Sequence, residues 1–429
     1  MCAILLGTAG AQSIGSAAQD APESAPLSMQ QAVREVLAWH PDLAGAVASL
    51  NARGEDVAAA RAGYLPRVSA GLNTGYANRL GSSWRPRPQV SASQMIYDFG
   101  KVASAVEAAR AGTRIGRAEL LLAVDELIRE TGYAVVEVQR NAVLYDIAQQ
   151  QLDRIREIAA LVGNRFAKGA TTRSDVLQAQ SRIAAAEATL AQIDAERRRW
   201  ASNLAFLRGK QEQVASVASA VPEWLMQSCA SGPVDWTAVP AVMRAEAGRD
   251  VAAAQLRRSR ADRLPTLSLA GDAAPDLLSP LSQRSGYNFG LSISSEVFGG
   301  NATGARVRGA GYALTAAEAG VSQARNETGQ RLAEARAQIA SLGPLLDTLI
   351  AREADMTETG KLYRLQYLEM GTRTLIDLLN AEQELQQGRF DAVNTRHDLR
   401  RLELDCLYYS GRARDSFGLA GTRFGPVTL

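Results

Sequence analysis

The chain has 429 residues, 46% hydrophobic and 21% charged, which is enough for a large core or for two to three ordinary domains. Its 47 Lys and Arg against 45 Asp and Glu leave a formal charge of +2, with the two signs interleaved along helical stretches as on solvated faces, so bulk charge gives no reason to expect nucleic acid or an acidic partner. No run of about 18 apolar residues occurs, which excludes a transmembrane helix; a chain of this kind crosses a membrane only as a β-barrel.

The first elements in chain order are processing signals. Ile4 to Leu6 form a short apolar core and Ala9-Gly10-Ala11 a small-x-small cleavage pattern, so residues 1–26 read as the remnant of a secretory leader without its basic start, or as a disordered tail. No lipobox precedes Cys2. The other two cysteines, Cys229 and Cys406, are expected as unpaired, partly buried thiols, with pairing in an oxidising compartment as the alternative.

From residue 27 onward the chain is written twice. An opening helix, about Ser28 to Gly63, ends at Arg61-Ala62-Gly63-Tyr64-Leu65-Pro66; its counterpart, about Trp236 to Asp262, ends at Arg260-Ala261-Asp262-Arg263-Leu264-Pro265. Each is followed by two candidate strands, near 67–76 and 86–97, then near 266–273 and 286–298. In the first of them Val68, Ala70 and Leu72 alternate with Ser69, Gly71 and Asn73, and in the last Tyr287, Phe289, Leu291 and Ile293 alternate with Asn288, Gly290, Ser292 and Ser294. Each strand pair leads into a helix of about 60 residues, from Lys101 and from about Ala302, interrupted by proline only at Pro344. Returning helices are expected over Thr172–Arg208 and Thr374–Tyr409, after the matching turns Gly169–Leu177 and Gly371–Leu379. Repeats spaced roughly 200 residues apart mean one large duplicated unit, here 27–210 and 236–412, with a linker at 211–235 and a tail at 413–429.

Rods this long, with alanine at most of their apolar positions, bury little area alone and need further helices beside them. Four strands do not close a barrel, and open edges are not tolerated in lipid. Closure therefore needs more copies: two give eight strands, a barrel filled by its own side chains, and three give twelve, which enclose a channel. The pattern alone leaves dimer against trimer open.

The run Tyr367-Leu-Glu-Met-Gly-Thr-Arg-Thr-Leu-Ile-Asp-Leu-Leu-Asn-Ala-Glu-Gln-Glu-Leu385 resembles the second hairpin turn of the TolC family of outer-membrane channels. The duplicated plan and Gln94-Met-Ile-Tyr-Asp-Phe-Gly100 resemble that family too, over about residues 27 to 412. The resemblance implies an α+β membrane protein, with long helical hairpins forming a trimeric α-barrel in the periplasm and four strands per protomer contributing to a 12-stranded barrel in outer-membrane lipid. It implies a homotrimer docked on a periplasmic adaptor and an inner-membrane ABC or proton-driven transporter, with the linker and tail as a belt midway along the tunnel. Tyr97-Asp98-Phe99-Gly100 and Ala38-Trp39-His40-Pro41 are closer to the type I protein-secretion branch than to the small-molecule efflux branch.

Site residues lie at the two turns. Gly169 and Gly371 permit the reversal at the tip, Thr171 and Thr172 or Thr372 and Thr374 cap the returning helices, and Asp175 and Asp377 stand in their first turns, where the helix dipole favours a carboxylate. The resemblance adds a second role: Asp377 faces the pore near its closed end as a ring of three, and Arg373 holds neighbouring helices together. The family often has a second acid one turn later, where this chain has Asn380, and Tyr367 stands one residue further from the glycine than the family pattern.

No enzyme is expected. The two histidines, His40 and His397, lie far apart in helical patterns, and there is no metal-ligand cluster or nucleophile elbow. Gly299-Gly300-Asn301-Ala302-Thr303-Gly304 lacks the Lys-Ser/Thr of a phosphate loop and reads as a strand-to-helix corner. No cofactor is implied. A soluble coiled-coil adaptor is the remaining rival, and it gives no reason for a repeated strand pair.

Overall fold

The computed structural model describes residues 26–77, 83–212, 216–229, 232–273, 286–296 and 301–428; all but the last residue of the expected leader or tail at 1–26, and Gly299 and Gly300 of the expected corner, lie outside them. Ser28 caps helix α1 (Met29–Trp39), its Oγ accepting from the Gln31 N–H at 3.2 Å. The expected single opening helix breaks at His40. Pro41 pushes the residue before it out of the helical region, and His40 sits at φ −60°, ψ 132°. Helix α2 (Pro41–Arg61) starts afresh, with proline at a position whose N–H has no partner in any helix.

Strands β1 (Arg67–Ala77) and β2 (Ser83–Tyr97) follow. Then come helix α3 (Lys101–Ala167), helix α4 (Arg173–Leu207) and the short α5 (Glu223–Met226). The second copy opens with α6 (Pro240–Ala261), again shortened to a proline from the expected Trp236. It continues with β3 (Thr266–Ala273), β4 (Tyr287–Ser294), α7 (Ala302–Leu365) and α8 (Leu375–Tyr409). The tail adds α9 (Ala413–Ser416) and a small hairpin of β5 (Arg423–Phe424) and β6 (Val427–Thr428).

The four long strands form one antiparallel sheet in the order β1-β2-β3-β4, so β2 and β3 join the two copies and β1 and β4 are its edges. Register carries the alternation across it up to a bulge between Met95 and Tyr97: Ser69, Ser91, Asp272 and Asn288 form one row, and Val68, Ala92, Gly271 and Phe289 form the next row on the opposite face.

Helix α3 has 67 residues and α7 has 64, about 100 Å each at 1.5 Å per residue. Asp98 starts α3 by accepting from the Gly100 and Val102 N–H groups at 2.9 and 2.6 Å, which explains the Asp-Phe-Gly run. Near the sheet the helices stand side by side as α2, α3, α6 and α7. Farther away the row is α4, α3, α8 and α7. The shorter helices therefore stack in pairs beside two unbroken rods. At the upper junction the Trp39 indole donates to the Leu207 carbonyl at 2.9 Å, and Gly209 lies against that ring so closely that a Cβ would stand 2.5 Å from it.

The main core lies at this middle level. Val33 and Val36 of α1, Leu120, Val124 and Ile128 of α3, Leu204 of α4 and Leu407 of α8 pack there with Leu225 and Phe417 from linker and tail. Cys229 and Cys406 do not stay apart as expected; they form a disulfide with Cα atoms 5.3 Å apart across 177 residues. The linker returns to the end of α8, where the Ser228 hydroxyl donates to the Glu403 carbonyl at 2.9 Å, and sequence separation carries no trace of that return.

Candidate functional site

Two regions present groups that the single chain leaves unused: the sheet and the far tip of the helices. On the sheet, β4 is exposed along its whole length, with Tyr287, Phe289, Leu291 and Ile293 between 69 and 79% exposed and pointing the same way as Val68 and Leu72. Each such side chain contributes roughly 2 kcal/mol when it leaves water, so β4 alone forgoes about 8 kcal/mol in an aqueous monomer. The opposite face is polar: the Ser69 and Ser91 hydroxyls are 2.7 Å apart, and the Asn288 amide donates to Asp272 at 3.3 Å. At the sheet's helical end Tyr64, Leu65, Tyr97 and Phe99 are exposed, and the last two rings pack edge to face at 4.7 Å.

At the tip Gly169 and Gly371 take φ +70° and +62°, which side chains with a Cβ rarely adopt. The caps are Thr172 and Thr374, each in a reciprocal capping box with Asp175 and Asp377. Thr171 also donates its hydroxyl to Asp175, whereas Thr372 donates only its backbone N–H, to the Gln366 carbonyl at 3.2 Å. Asp377 accepts from the Thr374 N–H at 3.1 Å and the hydroxyl at 2.9 Å, which holds its carboxyl below the usual range. Thr171 does the same for Asp175, followed by the Thr172 N–H and hydroxyl. Both carboxylates are charged at neutral pH.

Arg373 turns back onto α7 of its own hairpin. Its guanidinium lies over the Tyr363 ring at 4.3 Å and donates from Nε to Gln366 Oε1 at 3.1 Å. Asn380 is drawn into contact with the first copy, because Arg182 of α4 donates to its Oδ1 at 3.2 Å and also to Gln383. Gly371, Thr372, Arg373 and Asp377 thus cluster in one turn, and Gly169, Thr171, Thr172 and Asp175 in the other.

The sequence reading missed the contacts that tie these two turns together. Arg165 donates to the Tyr367 carbonyl at 3.1 Å and lies over its ring at 4.9 Å; Arg364 pairs with Glu157 at 3.2 Å. One signal was present. Asn301 follows Gly100, the equivalent positive-φ corner, by 201 positions, but Gly371 follows Gly169 by 202. The extra residue is absorbed in a π-helical turn, Gln366–Met370, which explains the position of Tyr367. Phe166, Leu177, Leu362, Leu365, Met370 and Ile376 stand exposed around the tip, so it offers an apolar surface as well as charge.

The chain matches the family model described as outer membrane efflux protein over residues 32–210 and 238–404. It is 22% identical over 393 residues to the outer membrane efflux protein BepC of Brucella suis, covering 88% of this chain and 84% of that one. It is 25% identical over 336 residues to protein CyaE of Bordetella pertussis, covering 73% and 69%. The solved outer membrane protein VceC from Vibrio cholerae shares the fold, with a TM-score of 0.79 at 19% identity over 89% of this chain and 96% of that one.

Proposed function

The chain belongs to the outer membrane efflux protein family, whose members are channel proteins and not enzymes, and from that premise we propose that three copies share one export duct. The observation that carries this reading is the four-stranded sheet with two edges and a bare apolar face. Three sheets give twelve strands around a lumen, with the Val/Leu/Tyr/Phe face toward outer-membrane lipid and the Ser/Asn/Asp272 face toward water. The helices, about 100 Å long, carry that lumen on through the periplasm. The repeats at 27–210 and 236–412 supply the wall, and the linker at 211–235 and the tail at 413–429 supply a belt around its middle.

At the far end Asp377 forms an acidic ring that attracts cations, and Asp175 adds charge on the neighbouring hairpin. Arg373 and the Asn380–Arg182 contact hold the closed tip. The tip residues Gly169, Thr171, Thr172, Gly371 and Thr372, with the exposed apolar side chains around them, dock a periplasmic adaptor that links the duct to an inner-membrane ABC or proton-driven transporter. The duct is the exit of a type I protein-secretion system, on the strength of the Tyr97–Gly100 and Ala38–Pro41 runs. A second reading, efflux of small molecules, is favoured by the likeness to BepC of Brucella suis, an outer membrane efflux protein. A deletion strain separates them: loss of an exported protein from the medium with unchanged drug tolerance supports secretion. Normal secretion with new drug sensitivity refutes it.

A further inference from the structure

The seam between copies of this chain has a template inside the chain itself. Within one protomer the long helix of the first copy, α3, packs antiparallel on the opening helix of the second, α6. Glu107 pairs with Arg257 at 2.7 Å and Arg114 with Asp250 at 2.8 Å, and between them Ala111 and Ala254 have no exposed surface. The other long helix, α7, and the other opening helix, α2, lie at the two ends of the row and have no such helical partner on their outer sides among the described residues. Closing the ring, a step that rests on the trimeric reading above, sets α7 of one copy on α2 of the next as α3 sits on α6.

The duplication then supplies the register. Gly100 and Asn301 align α3 with α7, so Glu107, Ala111 and Arg114 correspond to Arg308, Tyr312 and Thr315. The Arg-Ala…Leu-Pro runs align α6 with α2, so Asp250, Ala254 and Arg257 correspond to Asn51, Glu55 and Ala58. All six counterparts are exposed in the single chain, and Tyr312, where the template has a buried alanine, is 75% exposed. In this register Thr315 stands opposite Asn51 and Arg308 opposite Ala58, three residues or about 4.5 Å along the helix from Glu55, within reach of an arginine. Tyr312 faces the turn that carries Glu55.

We infer that Glu55 of each copy is the seat for Arg308 and Tyr312 of its neighbour, and that this contact holds the seam between protomers. Its polarity is the reverse of the template: the acid lies on the opening helix and the base on the long one. Neither Glu55 nor Arg308 has an ion-pair partner among the described residues, as a contact completed only by a second copy requires.

The test uses the full chain in detergent. Asn51→Cys with Thr315→Cys, the counterparts of a pair in direct contact, is oxidised with copper–phenanthroline and run without reductant. Covalent dimers and trimers are expected from the double variant and only monomers from either single one. In parallel, Glu55→Arg and Arg308→Glu each lower the trimer fraction, and combining them restores it. If the unaltered protein is trimeric but the cysteines stay unlinked and the combined swap rescues nothing, this seam is wrong while the trimer stands. If the unaltered protein is monomeric, the trimeric reading fails and the seam with it.

Discussion

Two neighbouring residues of β4 separate a membrane sheet from a soluble one. Leu291 lies on the apolar face and Ser292 on the polar face, and both are exposed in the single chain. Arginine at each position therefore costs almost nothing, within about 0.5 kcal/mol, if the sheet is an ordinary solvated surface. If the apolar face meets lipid, arginine at 291 near mid-strand costs roughly 2–4 kcal/mol per copy, or about 6–12 kcal/mol for three. Arginine at 292 points into water and leaves insertion unchanged. The assay is the fraction of protein in the outer-membrane fraction showing heat-modifiable migration. Leu291→Arg is expected to lose most of it and Ser292→Arg to keep it. Equal behaviour of the two variants refutes the assignment of faces, and a larger loss from Ser292→Arg reverses it.

Three further outcomes follow from particular groups. Cys406→Ser opens a loop of 177 residues, worth up to about 5 kcal/mol in the chain-entropy model, and is expected to lower the denaturant midpoint of the oxidised protein but not of the reduced one. His397 is buried, with its Nδ1 at 2.7 Å from the Val393 carbonyl, and burial lowers its pKa from 6.5 to about 4, helped by Arg400, Arg140 and Arg396. A depressed folded pKa means stability present above pH 6.5 and lost as pH falls toward 4, up to roughly 3 kcal/mol, and His397→Leu should flatten that part of the pH–stability curve. Asp377→Asn is expected to reduce cation selectivity or divalent-cation block in planar bilayers; unchanged recordings leave that carboxylate with its capping role alone.

The duplication and the strand alternation were legible because both are periodic, and register then fixes which faces match. Both turns were legible in type, since glycine and a Thr-x-x-Asp box write their geometry locally. The break at His40 was also written, in Pro41, but an otherwise continuous helical pattern masked it. The disulfide was not legible, because Cys229 and Cys406 meet only after the linker folds back. Nor were the contacts of Arg165 and Arg182, which depend on how two hairpins 200 residues apart lie side by side. The shift of Tyr367 was visible as one extra residue, but only the π-turn gives it a cause.

The most direct measurement is the mass and the single-channel behaviour of the detergent-extracted protein. A particle of three chains is expected, one that enters planar bilayers and conducts in discrete, uniform steps. A monomer that remains in solution without detergent and leaves bilayers silent would contradict it.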